Sequence, residues 1–254
     1  MEPVRSQRNQ HVVEAARLHR ARERRDRGRT LAEGPNLLDV ALAAGVIPEV
    51  VFALSDDDRT AELADHHGFE LIVVDHGALR RVAGTTTPRG PVAVLEIPAG
   101  TIGHGLGLLV SWAVSDPGNV GTLIRTAAAF AWDFGYTTGT SDPWSPKVLR
   151  AGAGGHFLIG IHQVGSVEDL EKAGYVPVAT IVAGGMPPSA LGPGRYAVLV
   201  GEESSGLPAD VVDRSRVKVT IPMASGQESL NAAMAAGMIV YELSKPEGEG
   251  EGRV

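Results

Sequence analysis

The chain contains no cysteine. Disulfides, thiolate metal sites and a cysteine nucleophile are therefore excluded at the outset. It also lacks any apolar run of the ~18 residues that a membrane-spanning helix needs. Residues 1–30 are polar and arginine-rich, where a secretory signal would carry an apolar segment. A cytoplasmic protein with no membrane association is the expectation. The eight histidines show no ligand spacing: His66 and His67 are adjacent, while His104, His156 and His162 are scattered. No metal site is expected from them. There is no Gly-x-Ser-x-Gly elbow and no Walker lysine loop. The glycines at 103, 105 and 107 precede a strand instead of following one and opening a helix, so a dinucleotide fingerprint is rejected. Glu202 and Glu203 are neighbours whose side chains diverge, which disfavours an acid/base pair.

What the chain does have is length, charge asymmetry and a regular alternation of elements. Its 254 residues, 43% of them hydrophobic, suffice for one large or two medium domains. The net charge is −7, but the first 30 residues hold nine arginines against four acids. The other 224 residues hold 14 basic and 26 acidic side chains. A basic arm on an acidic body is either a polyanion footprint or a solvated helix face, and charge alone leaves both open.

Periodicity and punctuation predict helices over 11–27, 37–44, 58–67 and 75–82, and strands over 49–54, 69–74 and 91–97. Gly45 and Gly68 read as helix stops and Asp75 as a cap. The glycine-rich stretch 98–105 reads as a linker. Beyond it, strands are predicted over 106–114, 157–161, 176–181, 196–200 and 216–221, with a short extended piece at 136–138. Helices are predicted over 120–131, 145–153, 167–173, 208–214 and 228–243. This alternation argues for an α/β fold with a mainly parallel sheet and helices on both faces. The domain expectation is 1–98, then 106–246, with 247–254 as a disordered Gly/Glu tail.

Three segments follow strands, where open α/β sheets hold their ligands. In the first, Asn119 reads as the N-cap of a helix, Gly121 opens its first turn and Arg125 lies six residues on. A helix mouth with a nearby arginine suits a phosphate. In the second, Gly201 and Gly206 bracket Glu202, Glu203, Ser204 and Ser205. In the third, Ile221-Pro222-Met223 precedes a helix whose opening turn carries Ser229, Leu230 and Asn231, and whose body is nearly all Ala, Met and Gly. Small residues there admit a close or threaded neighbour.

Taken together, these segments resemble the three motifs of the SpoU/TrmH family of S-adenosylmethionine-dependent RNA ribose methyltransferases, within the SPOUT class. The match runs Asn119-x-Gly121-x-x-x-Arg125-Thr126-Ala127, Gly201-x-Glu203-x-x-Gly206-Leu207, and Ile221-Pro222-Met223 with Ser229-Leu230-Asn231. Asp142-x-x-Ser145-Pro146-Lys147-Val148-x-Arg150-Ala151 also resembles a family helix, with Gly152 where a serine is usual. Arg8-Asn9, Glu33-Gly34 and Thr87-Pro88-Arg89-Gly90 resemble the family's substrate-binding domain, a small fold of the ribosomal-protein RNA-binding type. The resemblance spans about residues 5–245 and turns the charge question toward RNA.

The resemblance implies a C-terminal domain with a deep trefoil knot through which the Ala-rich helix passes, and a homodimer with the site at the subunit interface. It implies S-adenosylmethionine held by Thr180, Gly201, Ile221, Met223 and Leu230, with no metal. It assigns Arg125, Asn119, Glu203, Ser229 and Asn231 to catalysis, and RNA contact to Arg8, Arg17, Arg24, Arg25 and Arg89. A guanidinium holds its proton, so stabilising the emerging alkoxide suits Arg125 better than acting as base. Because an N-terminal domain of about this size is more typical of family members that act on large ribosomal RNA, the resemblance leans toward large-subunit ribosomal RNA. The alternatives are a tRNA 2′-O-methyltransferase and a non-catalytic RNA-binding protein on the same scaffold.

Overall fold

The computed structural model describes residues 3–99, 105–224 and 230–245. The expected tail at 247–254, and Ser229, lie outside the described residues. The chain divides into two compact units. One comprises 3–99 together with Asp142–Phe157, and the other comprises 105–141 with 158–245.

The first unit runs α1 (Gln10–Arg17), α2 (Ala21–Arg27), β1 (Arg29–Glu33), α3 (Pro35–Ala43), β2 (Val50–Ala53), α4 (Asp58–His67), β3 (Glu70–Val73), α5 (His76–Ala83) and β4 (Val92–Glu96). To these it adds α7 (Pro146–Ala151), seventh in chain order. Its mixed sheet has the order β1-β4-β2-β3. The cap signals hold: Asp57 accepts from the Thr60 amide, Asp75 accepts from Ala78, and Gly68 and Gly84 close their helices at positive φ.

The helix expected over 11–27 is two helices, and the break has a local cause. The buried Arg24 guanidinium donates to the carbonyls of Leu18 and His19 at 2.7 and 2.9 Å and pairs with Asp142, which holds the turn between α1 and α2. The N-terminal segment is therefore no free arm. Val12, Ala15 and Leu18 join the core with Leu31, Phe52, Leu79 and Val82. Strand β1 was not foreseen: its alternation is short and opens on Arg29, which lies across from Glu96 of β4.

Around α7, Thr30 donates to the Trp144 carbonyl at 2.6 Å, and Arg150 pairs with the buried Glu33 at 2.8 Å. His156 lies beside Trp144, with Nε2 at 2.9 Å from the Pro143 carbonyl. Burial lowers its pKa to about 3. A histidine held neutral in the fold adds no pH dependence above its ordinary value near 6.5. Below that value the unfolded chain takes up a proton that the fold refuses until about pH 3. Stability is then expected to fall by about 1.4 kcal/mol per pH unit through that window from this group. His156→Gln, which cannot titrate, is expected to flatten the pH dependence of the unfolding free energy by one proton. An unchanged slope would show that His156 is protonated in the fold.

The second unit contains β5 (Leu108–Ser111), α6 (Pro117–Ala129), β6 (Asp133–Tyr136), β7 (Ile161–Gln163), α8 (Val167–Lys172), β8 (Val176–Thr180), β9 (Tyr196–Val200), α9 (Ala209–Arg214), β10 (Val217–Val219) and α10 (Ala232–Leu243). Its six strands, in the order β10-β8-β9-β5-β6-β7, are all parallel. Near-continuous apolar strands such as β5, buried throughout, and β9, buried from Ala197 to Val200, are what a sheet covered on both faces requires. The strand expected over 157–161 is instead a 3₁₀ turn (Gly155–Phe157) followed by β7, and the extended piece near 136–138 belongs to β6, three residues earlier. Among the described residues no helix is long and apolar enough to cross a membrane.

Candidate active site

Because every strand of the second sheet is parallel, the loops after β5, β8, β9 and β10 leave from one edge. Those after β8, β9 and β10 meet at a cavity of about 420 Å³, within the ordinary range for a small-molecule site. Thr180, Gly201, Ile221, Met223 and Leu230 all line it, with Glu202, Glu203 and the Ala232, Ala235 and Ile239 face of α10. The Thr180 hydroxyl is already committed to the Leu199 carbonyl at 2.8 Å, tying β8 to β9, so this residue offers the cavity its backbone and methyl group.

The Gly201–Gly206 loop folds back on itself. The Gly206 amide donates to the Glu202 carbonyl at 2.8 Å, and a Cβ on Gly201 would stand 2.2 Å from the Gly206 carbonyl carbon. Glycine at 201 is what lets the two backbones touch. The Glu202 carboxylate accepts from Ser115 at 3.2 Å and from Ser205 at 3.1 Å, clasping this loop to the one after β5. Sequence reading gave Ser115 and Glu202 no role, since a long-range hydrogen bond leaves no periodic signal.

Asn119 is not the N-cap of α6. Asp116 is, accepting from the Asn119 amide at 2.8 Å. The Asn119 side chain is thereby free to point across the loops, where it donates to Glu203 and accepts from Asn231 at 3.1 Å. Asn231 in turn caps α10, accepting from Ala233 and Met234 at 3.0 and 3.1 Å. The direction of this chain is set at both ends. A carboxylate can only accept, and a backbone N–H can only donate. α10 begins at Ala232, four residues later than the 228 start expected from sequence.

Helices α6 and α10 run side by side in the same direction. Asn119 meets Asn231 at their starts, Thr126 faces Gly237, and Phe130 meets Tyr241 edge-on at 6.1 Å near their ends. A Cβ at Gly237 would sit 4.0 Å from Thr126, an ordinary contact, so α6 does not itself demand glycine there. The N-terminal end of α10, with its partial positive charge, borders the cavity through Ala232.

Arg125 stands apart from this network. It is exposed on α6, does not line the cavity, and makes no hydrogen bond or ion pair among the described residues. Of the arginines read as RNA contacts, Arg24 is buried and spent on Asp142, which withdraws it from that set, and Arg17 pairs with Glu14 at 2.8 Å. Arg8, Arg25 and Arg89 are exposed.

The lining suits S-adenosylmethionine. Among the described residues it holds two carboxylates and no lysine or arginine, which favours a ligand carrying a sulfonium and an ammonium, and its apolar and backbone surfaces suit an adenosine. Among the described residues no cluster could hold a metal ion.

Known proteins resemble this chain in sequence and fold. The 23S rRNA (guanosine(2553)-2′-O)-methyltransferase RlmP of Bacillus subtilis (strain 168) is 30% identical over 249 residues, covering 96% of this chain and 99% of that protein. The crystal structure of the AdoMet-bound rRNA methyltransferase from Sinorhizobium meliloti superposes with a TM-score of 0.83 at 26% identity, covering 95% of this chain and 97% of that one. The AdoMet complex of the SpoU methyltransferase AviRb from Streptomyces viridochromogenes gives 0.83 at 25% identity, covering 93% and 97%. Residues 9–93 match the MRM3-like substrate binding domain. Residues 108–241 match the SpoU rRNA methylase family, and the chain belongs to that family.

Proposed function

We propose that this protein transfers a methyl group from S-adenosylmethionine to a ribose 2′-hydroxyl of large-subunit ribosomal RNA. The observation that carries the reading is the convergence of Gly201, Ile221, Met223 and Leu230 on one cavity whose mouth is built by Asn119, Glu203 and Asn231. The matched substrate-binding domain, and the 23S rRNA named for the Bacillus relative, support the choice of RNA.

In this reading Thr180, Gly201, Ile221, Met223 and Leu230 hold the cofactor, which supplies an already activated methyl group. The Glu203–Asn119–Asn231 chain fixes the mouth so that a ribose is held in line, which is a large part of what such a displacement requires. Ser229 would hold the nucleotide or its phosphate, and Asn231 acts through Asn119 to orient the site. Arg125 lowers the energy of the oxyanion that forms as the hydroxyl loses its proton.

A homodimer fits the exposed features of α6 and α10. Met234, Met238 and Tyr241 lie exposed on α10, and Arg125 is exposed on the helix beside it. A second copy covering that face would bury the apolar side chains and bring Arg125 to a site. The family knot, with the last helix passed through a loop, and a cytoplasmic location complete the reading.

The test is incubation with methyl-labelled S-adenosylmethionine and large-subunit rRNA. The expected product is label on a 2′-O-methyl nucleoside, which resists alkaline cleavage on its 3′ side. Label on a base, or no transfer, would sink the reading.

A further inference from the structure

The basic character of the N-terminus does not lie where the sequence puts it. Arg17 pairs with Glu14, Arg22 with Asp26, Arg27 with Glu14 and Glu23, and Arg29 with Glu49, while Arg24 is buried on Asp142. Five of the nine arginines are thereby neutralised, so α1 and α2 are a poor polyanion surface along most of their length.

Unspent positive charge gathers elsewhere in the same unit. Val4 pairs with Val74 and the Gln7 side chain reaches Gly77, both at the start of α5, while the His19 ring lies against Gly84 and Val82 at its end. α1 and α5 therefore run parallel, and their C-terminal ends are adjacent. Arg80 and Arg81 occupy the last turn of α5, and Arg20 follows His19. All three are exposed and unpaired among the described residues. The loop leaving this point carries exposed Thr86, Thr87 and Arg89.

A structural role accounts for only part of this charge. Each helix C-terminus carries about −0.5 charge, so two adjacent ends call for about one positive charge. Three unpaired arginines leave a surplus of about two. Glu14, the acid on α1, is already held by Arg17 and Arg27. Guanidinium groups beside threonine hydroxyls are the donor set that grips phosphate oxygens without reading sequence.

We propose that the paired C-terminal ends of α1 and α5, through Arg20, Arg80 and Arg81 with the loop after α5, are the phosphate-gripping face of the N-terminal unit. This rests on the reading that the protein acts on RNA, and it adds Arg20, Arg80 and Arg81, which the sequence did not single out, to Arg89, which it did. The experiment measures the affinity of the full chain for large-subunit rRNA fragments across a salt series. Each neutralised phosphate contributes about 0.7 to 0.9 to the slope of log K against log salt, for single and double strands respectively. Arg80→Gln/Arg81→Gln is expected to make the slope shallower by about 1.4 to 1.8 and to weaken all fragments alike. Arg22→Gln, whose charge is already paired, is expected to keep the parent slope. A thermal unfolding profile of the full chain that matches the parent's reports that the variant is folded. A parent slope in the double variant, or an equal loss in Arg22→Gln, overturns the proposal while leaving the RNA reading standing. A parent protein that binds RNA with no salt dependence overturns the reading beneath it.

Discussion

Gly201→Ala is expected to lower affinity for S-adenosylmethionine by on the order of 100-fold and to take methyl transfer with it. The added Cβ would lie 2.2 Å from the Gly206 carbonyl carbon and 2.4 Å from both the Gly206 oxygen and the Leu207 nitrogen. All three are backbone atoms, so no rotamer change relieves the overlap and the loop must open. Overpacking of this kind costs about 1–3 kcal/mol, and each 1.4 kcal/mol is tenfold in binding. Opening the loop also draws Glu203 away from Asn119, so the mouth fails with the wall. Gly206→Ala makes a graded comparison. Its φ of +69° is unfavourable for alanine, but nothing lies within 4 Å of the new methyl group. It is expected to cost about 1–2 kcal/mol through the backbone alone and to bind better than Gly201→Ala. Calorimetric titration with the cofactor checks both. Wild-type affinity in Gly201→Ala would mean that this loop is no wall of the cofactor site.

The elements legible in the sequence were those whose ends are set by neighbours in the chain. Asp57 and Gly68 bracket α4, which spans 58–67 as read, and β9 spans 196–200 as read. What escaped was set from far away. The break between α1 and α2 depends on Arg24 reaching Asp142, 118 residues on, and β1 exists because β4 pairs with it. In the site, the motifs implied which loops meet only through the family they resemble, and the structure brings Thr180, Gly201, Ile221, Met223 and Leu230 to one cavity. The motifs could not foretell that Asp116 would take the cap and free Asn119, because both residues are good caps and only the fold decides between them. Nor could composition show that most arginines of α1 and α2 are neutralised, since pairing depends on which side chains face each other.

Arg125→Ala is expected to reduce the single-turnover rate at saturating RNA by about 10²–10³, the usual cost of removing one donor to a developing oxyanion. Cofactor affinity is expected to stay near that of the parent, because Arg125 does not line the cavity. The side chain is exposed and unpaired among the described residues, so its loss leaves no partner stranded and the fold is expected to survive. Arg125→Lys restores the charge without the planar fork and is expected to recover only part of the rate. A rate within threefold of the parent would remove Arg125 from the chemistry. That Arg125 makes no hydrogen bond to the network among the described residues leads to a sharper experiment. If it serves the cavity of a second copy, then mixing Arg125→Ala with Gly201→Ala, each inactive alone, creates dimers with one complete site. Random reassortment of a two-fold dimer gives activity at about a quarter of all sites. If Arg125 serves its own cavity, every site in the mixture lacks either the guanidinium or the wall, and no activity returns.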